Sequence, residues 1–236
     1  MPLRLKLAIA AALATLGLGG WLLLRDSPLF SVSQVTIVGL SADAQPAVAA
    51  QLEAAARSQT TTDFSVAALR AAVAQYTLID GLTAQTRGPH GVTITVRQRA
   101  TAVRLDVGRA VFPLDSAGAV ITGLRRPPHV ASVQSLRLPA GGRTRDPLVL
   151  TALRILGAAP LRLRARVIAV TIPSGTLTVY LHRGPRLLFG DASLPHAKWD
   201  AAAAVLTSHW SVGASYIDVR IPSRPSAQVA DPTTRL

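Results

Sequence analysis

The alternation of apolar and polar residues along the chain predicts two regions of different content. In the first, apolar residues recur at every second position, then at helical spacing, then again at every second position. The predicted elements are strands at 30–40, 79–87 and 92–97 and helices at 44–57 and 66–76. The order strand, helix, helix, strand, strand predicts one small α+β domain within residues 28–98.

Strand patterns dominate after residue 98 and predict a second, mixed β-rich domain over residues 99–223 with two helices. Trp199, Ala203 and Leu206 give the second helix an apolar stripe, and Pro222 and Pro225 end the last strand, so residues 224–236 are predicted to be a disordered tail. The segment 161–166 fits neither pattern. The predicted strands lie at 102–107, 110–114, 133–138, 167–172, 177–183, 186–189 and 215–221, and the predicted helices at 147–156 and 195–209.

The amino terminus carries an uncharged run over residues 7–24. A helix of ~18 residues spans ~27 Å, close to the thickness of the hydrocarbon core, so the run predicts a single transmembrane helix. Arg4 and Lys6 precede it, whereas Arg25 after it is offset by Asp26, which predicts cytoplasmic residues 1–6 and domains outside. A cleavable signal peptide is the alternative, but no small-residue cleavage site follows the run.

The composition excludes several kinds of catalytic site. The 236 residues include no Cys, which excludes disulfides, thiol nucleophiles and cysteine-ligated metals. Glu53 is the only Glu, so a catalytic pair of glutamates is impossible. The five His lack metal-ligand spacing, and no nucleophile motif is present. We therefore expect no enzymatic activity, no cofactor and no small-molecule substrate.

The net charge of +13 has three explanations. Nucleic-acid binding is disfavoured, because only 4% of the residues are aromatic and the arginines are scattered. Attraction to an anionic membrane surface or an acidic wall polymer needs only diffuse charge. An arginine-rich composition of the whole proteome is the third explanation.

Several segments, in their order and spacing, resemble the FtsQ/DivIB family of cell-division proteins, in particular those of Gram-positive actinobacteria. The resemblance covers nearly the whole chain. It departs at Gln98-Arg99-Ala100-Thr101, where the family tends to have Glu-Arg-x-Pro, and at Gly88-Pro89, which replaces Trp-Pro. The segments that carry it are PLFSVSQVTIVGL, VTITVRQRATAVRL, VFPLDSAGAVITG, VTIPSGTLTVYLHRGPRLLFGDASLPHAKWDAAAAVL and SYIDVRIPSRP.

The resemblance implies a membrane-proximal POTRA domain followed by a β domain. It also implies a non-enzymatic scaffold that binds FtsB and FtsL and links early division proteins to septal wall synthesis by FtsW and FtsI. Such a protein is a single-pass, type II protein of the plasma membrane at the division septum. The alternatives are another POTRA-type module that docks or chaperones exported proteins, and a wall-binding module.

The resemblance further implies that the partner strand adds to the last strand of the β domain, predicted at 215–221. The alternative for Ile217, Val219 and Ile221 is that their side chains lie in the core. Lys198 is predicted either to contact an acidic residue of the partner or to be an ordinary solvated residue of its helix. Asp115 and Gly118 match a structural turn. The predicted partner-binding residues are Lys198, Ser215, Tyr216, Ile217, Asp218, Val219, Arg220 and Ile221.

Overall fold

The protein forms two compact units that divide between Gln98 and Arg99. A computed structural model describes residues 30–172 and 175–229. These residues form five α-helices and eleven β-strands.

The first unit is a three-stranded sheet with two helices. The central strand is β3, which pairs parallel with β1 and antiparallel with β2. Parallel strands need a long connection, and both helices lie in the chain between β1 and β3. The elements in chain order are β1 (Gln34–Val38), α1 (Pro46–Arg57), α2 (Val66–Ala72), β2 (Ile79–Arg87) and β3 (Gly91–Gln98).

Local signals set the helix starts in this unit, and one apolar cluster holds it together. Pro46 occupies the first turn of α1, where its missing N–H is not needed. The Ser65 hydroxyl caps α2 by accepting the N–H of Ala68 at 3.4 Å. The helices and the central strand contribute fully or almost fully buried side chains: Val48, Leu52, Ala56, Leu69, Val92, Ile94 and Val96.

The second unit is built on an eight-stranded sheet in the order β11-β10-β9-β8-β7-β6-β4-β5. Its strands β7, β8 and β9 form an antiparallel meander. The helices are α3 (Pro147–Gly157), α4 (Leu161–Arg164) and α5 (Pro195–Thr207), followed by a 3-10 turn at His209–Ser211. The strands are β4 (Val103–Val107), β5 (Ala110–Leu114), β6 (Ser132–Gln134), β7 (Val167–Thr171), β8 (Leu177–Leu181), β9 (Arg186–Gly190), β10 (Ala214–Asp218) and β11 (Ser226–Val229).

One row of apolar side chains crosses all eight strands of this sheet. The strand register places its members side by side, and they alternate with polar residues of the opposite face. The three helices add their apolar residues to the same cluster, including the fully buried Trp199 of α5. The row runs Phe112, Leu105, Val133, Val170, Val179, Leu187, Ile217 and Ala227.

The predicted fold class needs three corrections. The predicted span at 7–24 lies outside the described residues, and none of the described helices is long and apolar enough to cross a membrane. The second unit has three α-helices rather than two, because the ambiguous segment forms the short helix α4. Ser226–Val229, assigned by sequence to a disordered tail, forms β11 and pairs with β10. β10 ends at Asp218, before the two prolines, and a turn in which the Arg224 N–H donates to Ile221 O at 3.0 Å leads the chain back antiparallel to it.

Candidate partner-binding edge

The strand predicted to accept a partner is an interior strand of the sheet. β10 pairs parallel with β9, where Tyr216 lies opposite Arg186, and antiparallel with β11, where Tyr216 lies opposite Gln228. Both backbone edges of β10 are therefore occupied over Tyr216–Asp218. The prediction of a free edge here is corrected: an added strand would first have to displace β11.

Most of the predicted contact side chains of β10 and the residue after it serve the fold. Ser215 donates its hydroxyl to the carbonyl oxygen of Gln228 at 3.0 Å, and the Tyr216 hydroxyl hydrogen-bonds the side-chain oxygen of the same Gln228. Ile217 and Val219 are completely buried in the core of the second unit. For these two side chains the alternative of a place in the core is the correct one.

Asp218 and Arg220 form a close ion pair on the surface. Arg220 donates from Nη2 to Oδ2 at 2.6 Å, from Nε to both carboxylate oxygens, and from its backbone N–H to Oδ1 at 3.0 Å. Partial burial by itself would raise the pKa of Asp218. The hydrogen bonds from Arg220 outweigh this effect, so the pKa of Asp218 is lowered. A Cβ on Gly190 would lie 3.0 Å from Cγ of Arg220, so this glycine, at φ +71°, lets the arginine lie close to β9.

An open cleft lies beside this ion pair. Its volume is ≈ 380 Å³, and Asp218, Arg220, Ile221, Arg224 and Ser226 line it. Ile221 is well exposed, and Arg220 and Arg224 bring two cations to the same cleft. The cleft therefore combines an apolar side chain and positive charge at the start of β11.

The edge of the sheet available on this side belongs to β11. It is the outermost strand in the sheet order, and no described strand pairs with its outer side. Ser226, Gln228 and Val229 are exposed, while Ala227 packs against the core. An edge strand presents N–H and C=O groups that another strand can pair with. The geometry therefore suits strand addition at β11 instead of β10.

Lys198 is buried and does not reach the surface of α5. Only 1% of the residue is exposed, and its Nζ donates to the backbone oxygens of Phe189 and Asp191 at 2.8 and 3.2 Å. It also donates to the Asp191 carboxylate at 2.5 Å and the Ser193 hydroxyl at 3.3 Å. Both sequence interpretations of Lys198 assumed a solvated ammonium group. The structure instead makes Lys198 the internal anchor of the loop between β9 and α5.

The charge of Lys198 acts on Asp191 in this loop. The hydrogen bond from Lys198, assisted by two bonds from Ser193, holds the pKa of the Asp191 carboxyl well below its usual range. The carboxylate itself remains 72% exposed, so water screens the ion pair. The backbone bonds of Lys198 therefore carry more of its structural role than the ion pair does.

The turn predicted at Asp115 and Gly118 has the structural role assigned to it. The Asp115 carboxylate accepts the N–H groups of Ala117 and Ala119 at 2.9 and 2.8 Å and binds Arg99 at 2.9 Å. Burial opposes its ionisation, but these bonds lower the pKa of Asp115. Gly118 has φ +78°. Among the described residues, no group of three or more His, Asp or Glu side chains is placed to hold a metal ion.

Comparison with known proteins finds no family model that matches this chain and no curated protein that matches it in sequence.

The sequence interpretation missed Gln228 and the whole of β11. The available signal was weak: Pro222, Ser223, Arg224 and Pro225 are turn-forming residues, but the four residues that follow have no run of apolar positions. Ser226–Val229 alternate polar and apolar residues, but two apolar positions, of which only Ala227 packs against the core, are too few to mark a half-buried strand.

Proposed function

We propose that this chain is a non-enzymatic scaffold of the cell-division machinery that binds FtsB and FtsL and links early division proteins to septal wall synthesis by FtsW and FtsI. The proposal comes from the resemblance to the FtsQ/DivIB family. Its location is the outer side of the plasma membrane at the division septum. The order of basic and apolar residues in 1–24 supports that location, although this segment lies outside the described residues.

The observation that carries the proposal is the unpaired outer side of β11. A partner strand that pairs there would extend the sheet of the second unit from eight to nine strands. The cleft beside β11 adds specificity, because Ile221 accepts an apolar side chain and Arg224 an acidic one.

The first unit also supports the proposal. Its order of strand, helix, helix, strand, strand is the order that the resemblance implies for a POTRA domain.

Proline substitutions in β11 test this proposal. Successive residues of a strand direct their N–H groups to opposite edges, so Ala227→Pro and Gln228→Pro remove one donor facing β10 and one facing outward. One of these two variants removes the donor on the outer edge of β11. That variant should keep the thermal unfolding temperature of the second unit, and its affinity for FtsB should fall about tenfold or more. Ser226→Ala, which keeps every backbone donor, is the matched control and should bind FtsB normally.

Normal FtsB binding by both proline variants, each still folded, would refute addition at β11. Val219→Pro is not a useful test of binding, because the Val219 N–H already donates to Leu188 O at 3.0 Å inside the sheet. Photocrosslinkers at Ile221 and Val229 give a second measurement in cells. Adducts with a small FtsB-type protein support the scaffold function, whereas adducts only with lipid, wall polymer or mixed exported proteins contradict it.

A further inference from the structure

Three leucines of the second unit face solvent on neighbouring segments. Leu136 is 98% exposed, Leu138 is 66% exposed and Leu148, in the first turn of α3, is 45% exposed. Leu136 and Leu148 line the same open cleft of ≈ 430 Å³. Single exposed leucines are ordinary, but a cluster around a cleft is typical of an interaction site. We call these three residues and the cleft the leucine surface.

A buried hydrogen-bond cluster fixes the backbone beneath the leucine surface. The Ser135 hydroxyl donates to the Asp146 carboxylate, and both residues are buried. The N–H of Ser135 donates to the Asp106 carbonyl at 3.0 Å, and its hydroxyl oxygen accepts the N–H of Arg137 at 2.9 Å. The other Asp146 oxygen accepts the Leu148 N–H at 2.9 Å. These hydrogen bonds fix the backbone that carries the exposed leucines. Less conformational entropy is therefore lost when a partner docks there.

The charge around the leucine surface is positive and unpaired. Arg109, Arg137 and Arg145 are exposed, and none forms an ion pair with another described residue. The two carboxylates of this region are occupied: Asp106 binds a neighbouring arginine at 3.0 and 3.2 Å, and Asp146 is buried as the cap of α3. Charge complementarity therefore favours an acidic partner.

We propose that the leucine surface is the docking site for an acidic, leucine-bearing segment of a partner protein. Aliphatic side chains of that segment enter the cleft between Leu136 and Leu148, and its carboxylates meet the exposed arginines. A concave site favours a chain segment over a bilayer, because a planar lipid surface cannot enter between the walls of a cleft.

This site does not depend on the function proposed for β11. Leu136 and Leu138 follow β6, which lies five strands from β11 in the sheet order. At ~4.8 Å per strand this separation is ~24 Å, so both sites could be occupied at the same time. The leucine surface therefore gives the second unit a separate place for another partner.

The test uses the full chain in nanodiscs of zwitterionic lipid and a fluorescent peptide of alternating Asp-Leu and Glu-Leu pairs as the probe. Two comparison peptides replace every Leu by Ser, or every Asp and Glu by Lys. Fluorescence anisotropy should show that the acidic leucine peptide binds about tenfold or more tightly than either comparison peptide. The double variant Leu136→Ser/Leu138→Ser should lose about tenfold in affinity. Arg137→Gln/Arg145→Gln should weaken binding and reduce its salt dependence.

Leu161→Ser is the matched control, since Leu161 is 82% exposed, lies in the same unit and is also followed by an arginine. Equal binding of the serine peptide, or equal loss of affinity in Leu161→Ser, would mean that the charge of the whole protein attracts the probe, and would overturn the proposal. Unchanged affinity of Leu136→Ser/Leu138→Ser would also overturn it. If that variant instead loses only its binding to phosphatidylglycerol vesicles, the surface is a lipid site and the proposal is wrong.

Discussion

Replacement of Lys198 by methionine should destabilise the second unit by about 1–3 kcal/mol. Methionine keeps the apolar stem of the side chain but removes the ammonium group from its four acceptors, one in β9 and three in the loop between β9 and α5. Leu194, the last residue of this loop, has φ +46°, a left-handed conformation that residues other than glycine rarely adopt. Residues with positive φ persist where surrounding bonds hold them, so the loop should lose its order with the ammonium group.

The magnitude follows from how deeply each acceptor is buried. The bond to Phe189 O, at 2.8 Å, is buried, so its loss removes a charge-assisted hydrogen bond worth ~1.5–3 kcal/mol. The Phe189 oxygen is not left unsatisfied, because it still accepts the backbone N–H of Asp191 at 2.9 Å. The Asp191 carboxylate is 72% exposed and returns to water, so its contribution is only ~0–1 kcal/mol. Folding of the methionine variant does not bear the desolvation cost of burying an ammonium group. This difference offsets part of the lost stability.

Urea unfolding, followed by the fluorescence of the buried Trp199 in proteins that also carry Trp21→Phe and Trp210→Phe, measures this change. Trp199 packs against Phe189 with ring centroids 5.0 Å apart, next to the bonds that are removed. The exposed Arg162 provides the control: Arg162→Met should change the free energy of unfolding by less than ~0.5 kcal/mol. An unfolding midpoint for Lys198→Met equal to or above that of the unsubstituted protein would refute the reasoning. It would show that desolvation of the ammonium group cancels its hydrogen bonds.

Two further predictions concern one loop and one turn. Because the folded-state pKa of Asp191 is depressed, its stabilising effect is fully present above the unfolded value near 3.8 and is lost as pH falls toward the lower folded value. Asp191→Asn should therefore lower the thermal unfolding temperature of the second unit more at pH 7 than at pH 3. An equal effect at both pH values would contradict a stabilising ion pair between Asp191 and Lys198. Gly39→Ala should destabilise the first unit by more than ~2 kcal/mol, since Gly39 has φ +87° and a Cβ there would lie 2.2 Å from Val96 O. Amide hydrogen exchange in β1 and β3 should be faster in this variant. Protection equal to that of the unsubstituted protein would contradict the expected steric clash with Val96 O.

Local patterns in the sequence placed many of the elements close to where the structure has them. The helix predicted at 147–156 is α3, Pro147–Gly157, because Asp146 caps it and Pro147 fits its first turn. The strands predicted at 79–87 and 110–114 have the observed bounds of β2 and β5. These cases share a cause: capping, turn formation and alternation involve residues close in the chain, so the sequence displays them directly.

Other predictions failed where a distant residue decides the outcome. The strand predicted at 133–138 ends at Gln134. The Ser135 N–H still bonds Asp106 of β4, but the Ser135 hydroxyl bonds the Asp146 carboxylate and accepts the N–H of Arg137, so the chain turns away from the sheet. Leu136 and Leu138 are therefore exposed, although their apolar character predicted a place in a strand. No local pattern indicates a hydrogen bond between residues eleven positions apart.

The sequence by itself determined the alternating strands, the helix starts and the absence of cysteine chemistry. Tertiary structure decided which strand is the edge of the second sheet, because β11 is too short and too polar to be recognised before it pairs with β10. It also decided the burial of Lys198, since a lysine can enter a core only where other segments supply acceptors, as Phe189 and Asp191 do. Edge position and burial depend on which segments meet in space, and this information is not contained in any local pattern of residues.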